Sequence, residues 1–202
     1  ILGEMQRKFL QRVKANIERM GGLLNDVIEV TSMDAQRIEL SPAPIDLVSV
    51  VEEAIMGLST RFRERDLSIQ LDMELELPPV RADRDALYQI MLHLLSNACQ
   101  CSEQGTEVIV SGHLEEAEEE GLPPYIRVSV ADTGGGIDPE DYPRVFHRLY
   151  RAGRPLISGL GETGVGMSLA RTLVEAHGGR IWVESKMRVG SVFSLILPLS
   201  GA

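Results

Sequence analysis

The chain has only two cysteines, Cys99 and Cys101, two positions apart. On a helix, positions i and i+2 point to different faces, so the pair forms neither a disulfide framework nor a metal knuckle. Such scarcity fits a reducing, cytoplasmic compartment. Lysine is nearly missing: Lys8, Lys14 and Lys186 occur, and every other basic side chain apart from histidine is Arg. An anion bound in the middle of the chain must then be held by Arg, by backbone N–H groups or by a metal. No uninterrupted apolar run approaches a membrane span, and no stretch of these 202 residues reads as a signal peptide. The first residue is Ile1 rather than Met, so we expect a piece of a longer protein, with any membrane anchor upstream. Positive charge is in deficit, with a net charge of −10. That argues against a nucleic-acid groove or an anionic membrane surface as partner. Part of the excess is the run EEAEEE at 115–120, read as a solvated acidic loop.

What is present suffices for a core. Hydrophobic residues make up 44% of 202 residues, enough for one domain plus an appendage. Residues 1–34 read as one long helix, because Leu10, Val13, Ile17, Met20, Leu24 and Val27 are spaced 3, 4, 3, 4, 3. Gly21 and Gly22 weaken its middle by about 1 kcal/mol each relative to Ala. The helix expects a partner helix, upstream or from a second chain; the alternative is packing on its own domain. The stretch LSPAPIDL (40–47) is a break, with Asp46 as N-cap of a helix through residues 47–63. LSIQLDMELE (67–76), EVIVSGHL (107–114) and YIRVSVA (125–131) read as strands, and 83–101 as a helix. Residues 133–163 read as a long loop, 164–177 as a helix, and GGRIWVES with GSVFSLILPL as a closing strand pair. The expected fold class is α+β, a two-layer sandwich with a mixed sheet, preceded by one long helix.

Two Gly-rich stretches frame the chemistry. In VSVADTGGGI, Asp132 follows a strand and offers an acceptor-only carboxylate, suited to an amine or ring N–H. Gly134 to Gly136 withdraw their Cβ atoms from the adjacent wall, so a flat ring or a backbone group can come close. By itself this is also an ordinary turn after a strand. GETGVGM (161–167) puts glycines just before a helix, where backbone N–H groups and the helix dipole attract phosphate. The P-loop pattern is missing. His93 and Asn97 share one helix face at i, i+4, and a carboxamide oxygen suits a phosphate-bound Mg2+. The simpler readings are a helix-face amide and a core histidine.

In order, DALYQIMLHLLSNA, VADTGGGI, VFHRLYR, GETGVGMSLARTLVEAHGGRIWVES and GSVFSLILP strongly resemble the N, G1, F and G2 boxes of sensor histidine kinases. Their ATP-binding catalytic domain has the GHKL-type (Bergerat) fold. RVKANIERMGGLLNDVIEVTSMDAQRIEL resembles the second helix of the dimerisation and phosphotransfer hairpin. The resemblance covers nearly the whole chain. It implies a hairpin helix at 1–38, a catalytic domain at 39–202 and an ATP lid at about 138–163. It gives Asp132 to the adenine amine, and Gly134, Gly136 and Ile137 to the wall of the base pocket. Asn97 and His93 become the catalytic and Mg2+-side residues, flanked by Gln100 and Cys101. Tyr150 and Arg151 belong to the lid, and Thr163, Gly164, Val165, Gly166 and Met167 to the phosphate end. The implied cofactors are ATP and Mg2+. The implied partners are a second copy through residues 1–34 and a response regulator receiver domain, with no nucleic acid.

The chain departs from that pattern at named positions. His93 replaces the first Asn of the N box, Gln100 its Lys, and Cys101 the aromatic after it. His147 replaces the acidic residue of the F box, Leu149 its second aromatic, and Glu162 the first glycine of the G2 box. None of His93, His113, His147 and His177 lies in the family's acceptor motif, so this stretch is not expected to phosphorylate itself. The alternative is a degenerate nucleotide sensor or docking scaffold without phosphotransfer. A third reading is an ATPase of the gyrase, Hsp90 or MutL branch. It is disfavoured because the position of that branch's Glu base holds His93.

Overall fold

The computed structural model describes residues 39–116, 123–147 and 165–200, together with residues 3, 5, 6, 9 and 13. Met5, Gln6, Phe9 and Val13 are helical; Leu10, Ile17, Met20, Leu24 and Val27 lie outside the described residues. Strand β1 (Ala43–Ile45) leads into helix α1 (Leu47–Glu64), which starts where Asp46 Oδ1 accepts from Val48 N at 3.0 Å. Then follow β2 (Ser68–Met73), β3 (Val80–Ala82) and α2 (Arg84–Cys101). Next come β4 (Glu107–Glu115), β5 (Tyr125–Asp132) and a 3-10 turn at Pro139–Arg144. Helix α3 (Gly166–Ala176), β6 (Arg180–Lys186) and β7 (Gly190–Pro198) close the chain.

The main sheet has five strands in the order β2-β4-β5-β7-β6. Only β2 and β4 run parallel; the other pairings are antiparallel. This is the mixed sheet expected. One helical layer covers it, and α2 packs against both α1 and α3. Leu87, Ile90, Met91, Leu94 and Leu95 of α2 are fully buried, in one core with Val108, Val110, Ile126, Val128, Leu195 and Leu197 of the sheet. The heptad-like spacing on α2 gives it a continuous apolar side. Period two on β5 turns Ile126, Val128 and Val130 to the same side.

The structure corrects the reading of 40–47 as a plain break. Ala43–Ile45 pairs antiparallel with Val80–Ala82, in the register Ala43↔Ala82, Pro44↔Arg81, Ile45↔Val80. Pro44 is tolerated because a two-stranded ribbon leaves one edge without ladder bonds. The strand expected over 67–76 stops at Met73, with one more ladder bond from Glu74 N to Gly112 O. Leu75 beyond it is 90% exposed, so its apolar character does not reflect a buried face.

Candidate functional site

The alternation that buries three apolar residues of β5 also buries the fourth inward position, Asp132. Asp132 Oδ1 accepts from Gly134 N at 2.9 Å and from Ser191 N at 3.3 Å. No further hydrogen bond to Oδ2 is found among the described residues, which leaves that oxygen as an acceptor. Burial pushes the carboxyl above its ordinary pKa, and the two backbone amides pull part of the way back.

The glycines after it serve the protein's own backbone. A Cβ on Gly134 would stand 2.5 Å from the carbonyl oxygen of Cys101, so the turn lies directly on the end of α2. Gly136 has φ +73°, and a Cβ there would collide with the carbonyl of Lys186. Only Gly135 faces open space. The wall that looked cleared for a ring at Gly134 and Gly136 is filled by chain. The loop is pinned to the β6–β7 hairpin: Arg188 N donates to Gly135 O at 2.8 Å, and Ile137 N to Ser185 Oγ at 2.8 Å. The Tyr142 hydroxyl donates to the carbonyl of Ser185. Val145 is buried, and Phe146 meets Phe193 edge-on at 6.2 Å. The first part of the expected lid, 138–147, is therefore anchored by side chains and main-chain bonds. Tyr150, Arg151, Thr163 and Gly164 lie outside the described residues.

The second end of the site is the start of α3. No side chain caps it, so among the described residues the first-turn N–H groups remain available to an anion. Val165 and Gly166 are buried and Met167 is half-buried. A Cβ on Gly166 would lie 2.8 Å from His93 Nδ1, which fixes α3 against the middle of α2. Burial lowers the His93 pKa to about 4, so the ring is neutral at pH 7. One turn further, Asn97 is half-buried and its Oδ1 lies 3.9 Å from Cys101 Sγ. Gln100 offers its backbone carbonyl to Arg65 at 2.8 Å, which caps the end of α2.

His93, Asn97 and Cys101 thus form one line along α2. It runs from the first turn of α3 at His93 to the Asp132 turn at Cys101. Eight residues of helix span about 12 Å, room for a flat base at one end and a phosphate chain at the other. Sequence reasoning missed Ser191, Ser185 and Tyr142, which hold Asp132 and Ile137 in place. The visible signal was the hairpin ESKMRVGS (184–191), whose partner strand was not fixed by its own pattern.

A profile of the family described as "Histidine kinase-, DNA gyrase B-, and HSP90-like ATPase" matches residues 82–201. The chain is 34% identical over 200 residues to the adaptive-response sensory kinase SasA of Synechococcus sp. (strain CC9311), covering 98% of this chain and 50% of that protein. It is 29% identical over 196 residues to drug sensory protein A of Synechocystis sp., covering 95% of this chain and 29% of that one. The chain therefore spans half or less of the length of these two relatives. Full-length ShkA in complex with AMPPNP matches at a TM-score of 0.79 and 28% identity, over 100% of this chain and 40% of that chain. ThkA in complex with the response regulator protein TrrA shares the fold, with a TM-score of 0.74 at 20% identity over 99% of this chain and 53% of that chain. The chain belongs to the histidine kinase-, DNA gyrase B- and HSP90-like ATPase family, and its matches lie with the ATP-binding catalytic domains of sensory histidine kinases.

Proposed function

We propose that the chain binds ATP with its adenine at Asp132 and its phosphates at the start of α3. The γ-phosphoryl group then passes to a histidine outside these 202 residues, for relay to an aspartate of a response regulator. The observation that carries this reading is the line His93, Asn97, Cys101 on α2, which joins a buried carboxylate to an uncapped helix start. Asp132 accepts the exocyclic amine. The N–H groups of Gly166 and Met167 meet phosphate oxygens, with Thr163, Gly164 and Val165 leading into that turn. Tyr150 and Arg151 cover the nucleotide from the lid. Catalysis is by positioning and charge neutralisation: the bond from the γ-phosphorus to the bridging oxygen breaks as the bond to the acceptor nitrogen forms.

Among the described residues, no group of three or more His, Cys, Asp or Glu could cage a metal. That suits Mg2+, which keeps waters and phosphate oxygens and takes one or two protein ligands. The carboxamide oxygen of Asn97 fits such a contact; the neutral nitrogen of His93 is too soft a donor and orients the α3 start instead. Bound there, Mg2+ would offset phosphate charge.

Residues 1–38 act as the second helix of a dimerising hairpin, with Met5 and Phe9, 83% and 66% exposed, left for a partner helix. The reading of a response regulator as partner is supported by the ThkA structure, solved with TrrA. Among the described residues, no helix is long and apolar enough to cross a membrane.

Calorimetric titration with ATP, with and without Mg2+ and with Asp132→Asn as control, tests the proposal. Binding that needs Asp132 and responds to Mg2+ is expected. A folded protein that binds no ATP refutes the kinase mechanism.

A further inference from the structure

We propose that Ser185 is a positioning residue for the nucleotide, setting the distance between Asp132 and Ile137. The inference rests on the ATP reading above. Ser185 lies on β6, separated from β5 by β7, and reaches the base end of the proposed site only through the backbone N–H of Ile137 and through Ser191. Its hydroxyl is saturated. Ile137 N donates to Oγ at 2.8 Å, Ser185 Oγ donates to Gly190 O at 2.9 Å, and Ser191 Oγ stands 2.9 Å away as the second donor. One hydrogen and two lone pairs are all a serine hydroxyl has, and all are used.

Each partner belongs to the site by a different route. Ile137 follows the glycine turn that carries the chain away from Asp132. Ser191 is the residue whose backbone N–H holds Asp132 Oδ1 at 3.3 Å. Ser185 therefore joins the loop after β5 to the start of β7 at the point where the carboxylate is aimed. Its own carbonyl adds a third tie, accepting the Tyr142 hydroxyl from the 3-10 turn. The phosphate end has no share in this network, because it is built from α3 and the middle of α2. Losing the Ser185 hydroxyl should thus harm base recognition and spare phosphate recognition.

The experiment compares wild type, Ser185→Ala, Ser185→Thr and Tyr142→Phe by titration with ATP and, separately, with inorganic triphosphate. Circular dichroism melts establish that each variant is folded. Ser185→Ala should weaken ATP about ten-fold, the equivalent of one lost hydrogen bond between neutral groups. It should leave inorganic triphosphate within two-fold of wild type, roughly the error of such a titration. Ser185→Thr, which keeps the hydroxyl, should restore ATP binding. Tyr142→Phe should weaken ATP by about three-fold, since the tie it removes acts on the turn and not on the carboxylate. If Ser185→Ala does not fold, Ser185→Cys, which puts a weak thiol in place of the hydroxyl, carries the test and should weaken ATP while sparing triphosphate. Equal ATP affinity for wild type and the folded variants would overturn the proposal. Equal weakening of ATP and triphosphate would overturn it too, by reducing Ser185 to a general structural role. A wild type that binds no ATP would overturn the ATP reading, and this proposal with it. A wild type that binds while Ser185→Ala is unchanged defeats this proposal alone.

Discussion

Asp132 sits in a place that disfavours charge. Its carboxyl is raised above the ordinary value by burial, with Gly134 and Ser191 amides opposing. The folded pKa lies above the unfolded one, so the ionised group weighs against the native state at neutral pH. That penalty is relieved as pH falls through the folded pKa. Asp132→Asn should therefore leave the nucleotide-free protein at least as stable at pH 7 in a thermal melt. ATP affinity should nevertheless drop by roughly 10- to 100-fold, because an amide cannot replace the charge-assisted acceptor. In the wild type, ATP should bind progressively less well as pH is lowered through that same pKa, since a protonated carboxyl presents a donor to an amine. A series of titrations between pH 7 and the acid limit of folding checks this. Gly136→Ala is a second residue-scale test. The positive φ and the Lys186 carbonyl leave no place for a methyl group. Denaturant unfolding should show a loss of about 1 to 3 kcal/mol.

Among elements, α2 connects the rest, and its first residues are tied to α3 from the opposite end to the site. Asp83 Oδ1 accepts from Asp85 N and Ala86 N, at 3.1 and 3.0 Å, as the N-cap of α2. Asp83 Oδ2 accepts from Ser41 N at 2.9 Å. The backbone N of Asp83 donates to His177 Nε2 at 2.9 Å, and His177 Nδ1 donates to Leu173 O at 2.7 Å. These amides hold the Asp83 carboxyl below its ordinary pKa, the Ala86 amide most strongly. The sign is opposite to that of Asp132: the stabilisation is present above the unfolded pKa and lost as pH falls through the folded one. Asp83→Asn should flatten the acid limb of stability against pH, and Asp83→Ala should cost about 1 to 2 kcal/mol by urea melts. The cap was not read from the sequence, although the helix it starts was. Long periodic elements such as α1, α2 and β5 announce themselves because one face must be apolar over many residues. The ribbon of β1 and β3 did not, because three-residue strands carry no period and their pairing spans a whole helix. The parallel neighbour of β2 was equally hidden: alternation in β2 and β4 says which side is buried, not which strand lies beside which.

At the scale of the whole molecule, the site is a seam between layers, so its integrity depends on the common core. Leu94→Ala, at a fully buried position next to His93 and three residues before Asn97, should destabilise by about 2 to 5 kcal/mol in denaturant unfolding. ATP at 100 times its dissociation constant should return about 2.7 kcal/mol of that, read as a shift of the melt. The two ends of the site were legible in the sequence for different reasons. Asp132 stood out because a carboxylate ends an apolar alternation, and the α3 start because glycines precede an amphipathic helix. What holds the Asp132 end in place was not legible: Ser185, Ser191 and Tyr142 act through contacts between the turn after β5 and the β6–β7 hairpin, which exist only once the sheet is assembled.

The burial of Asp132 as the fourth inward residue of β5 also limits how the protein can change length. Side chains alternate, so gaining or losing one residue within β5 would turn every inward group out and swing the carboxylate to the opposite face. Insertions between β4 and β5 carry no such consequence, because a connection can lengthen without altering the phase of the strand it feeds. Descendants of this gene are free to grow at that connection and are held to a fixed count of residues along the strand.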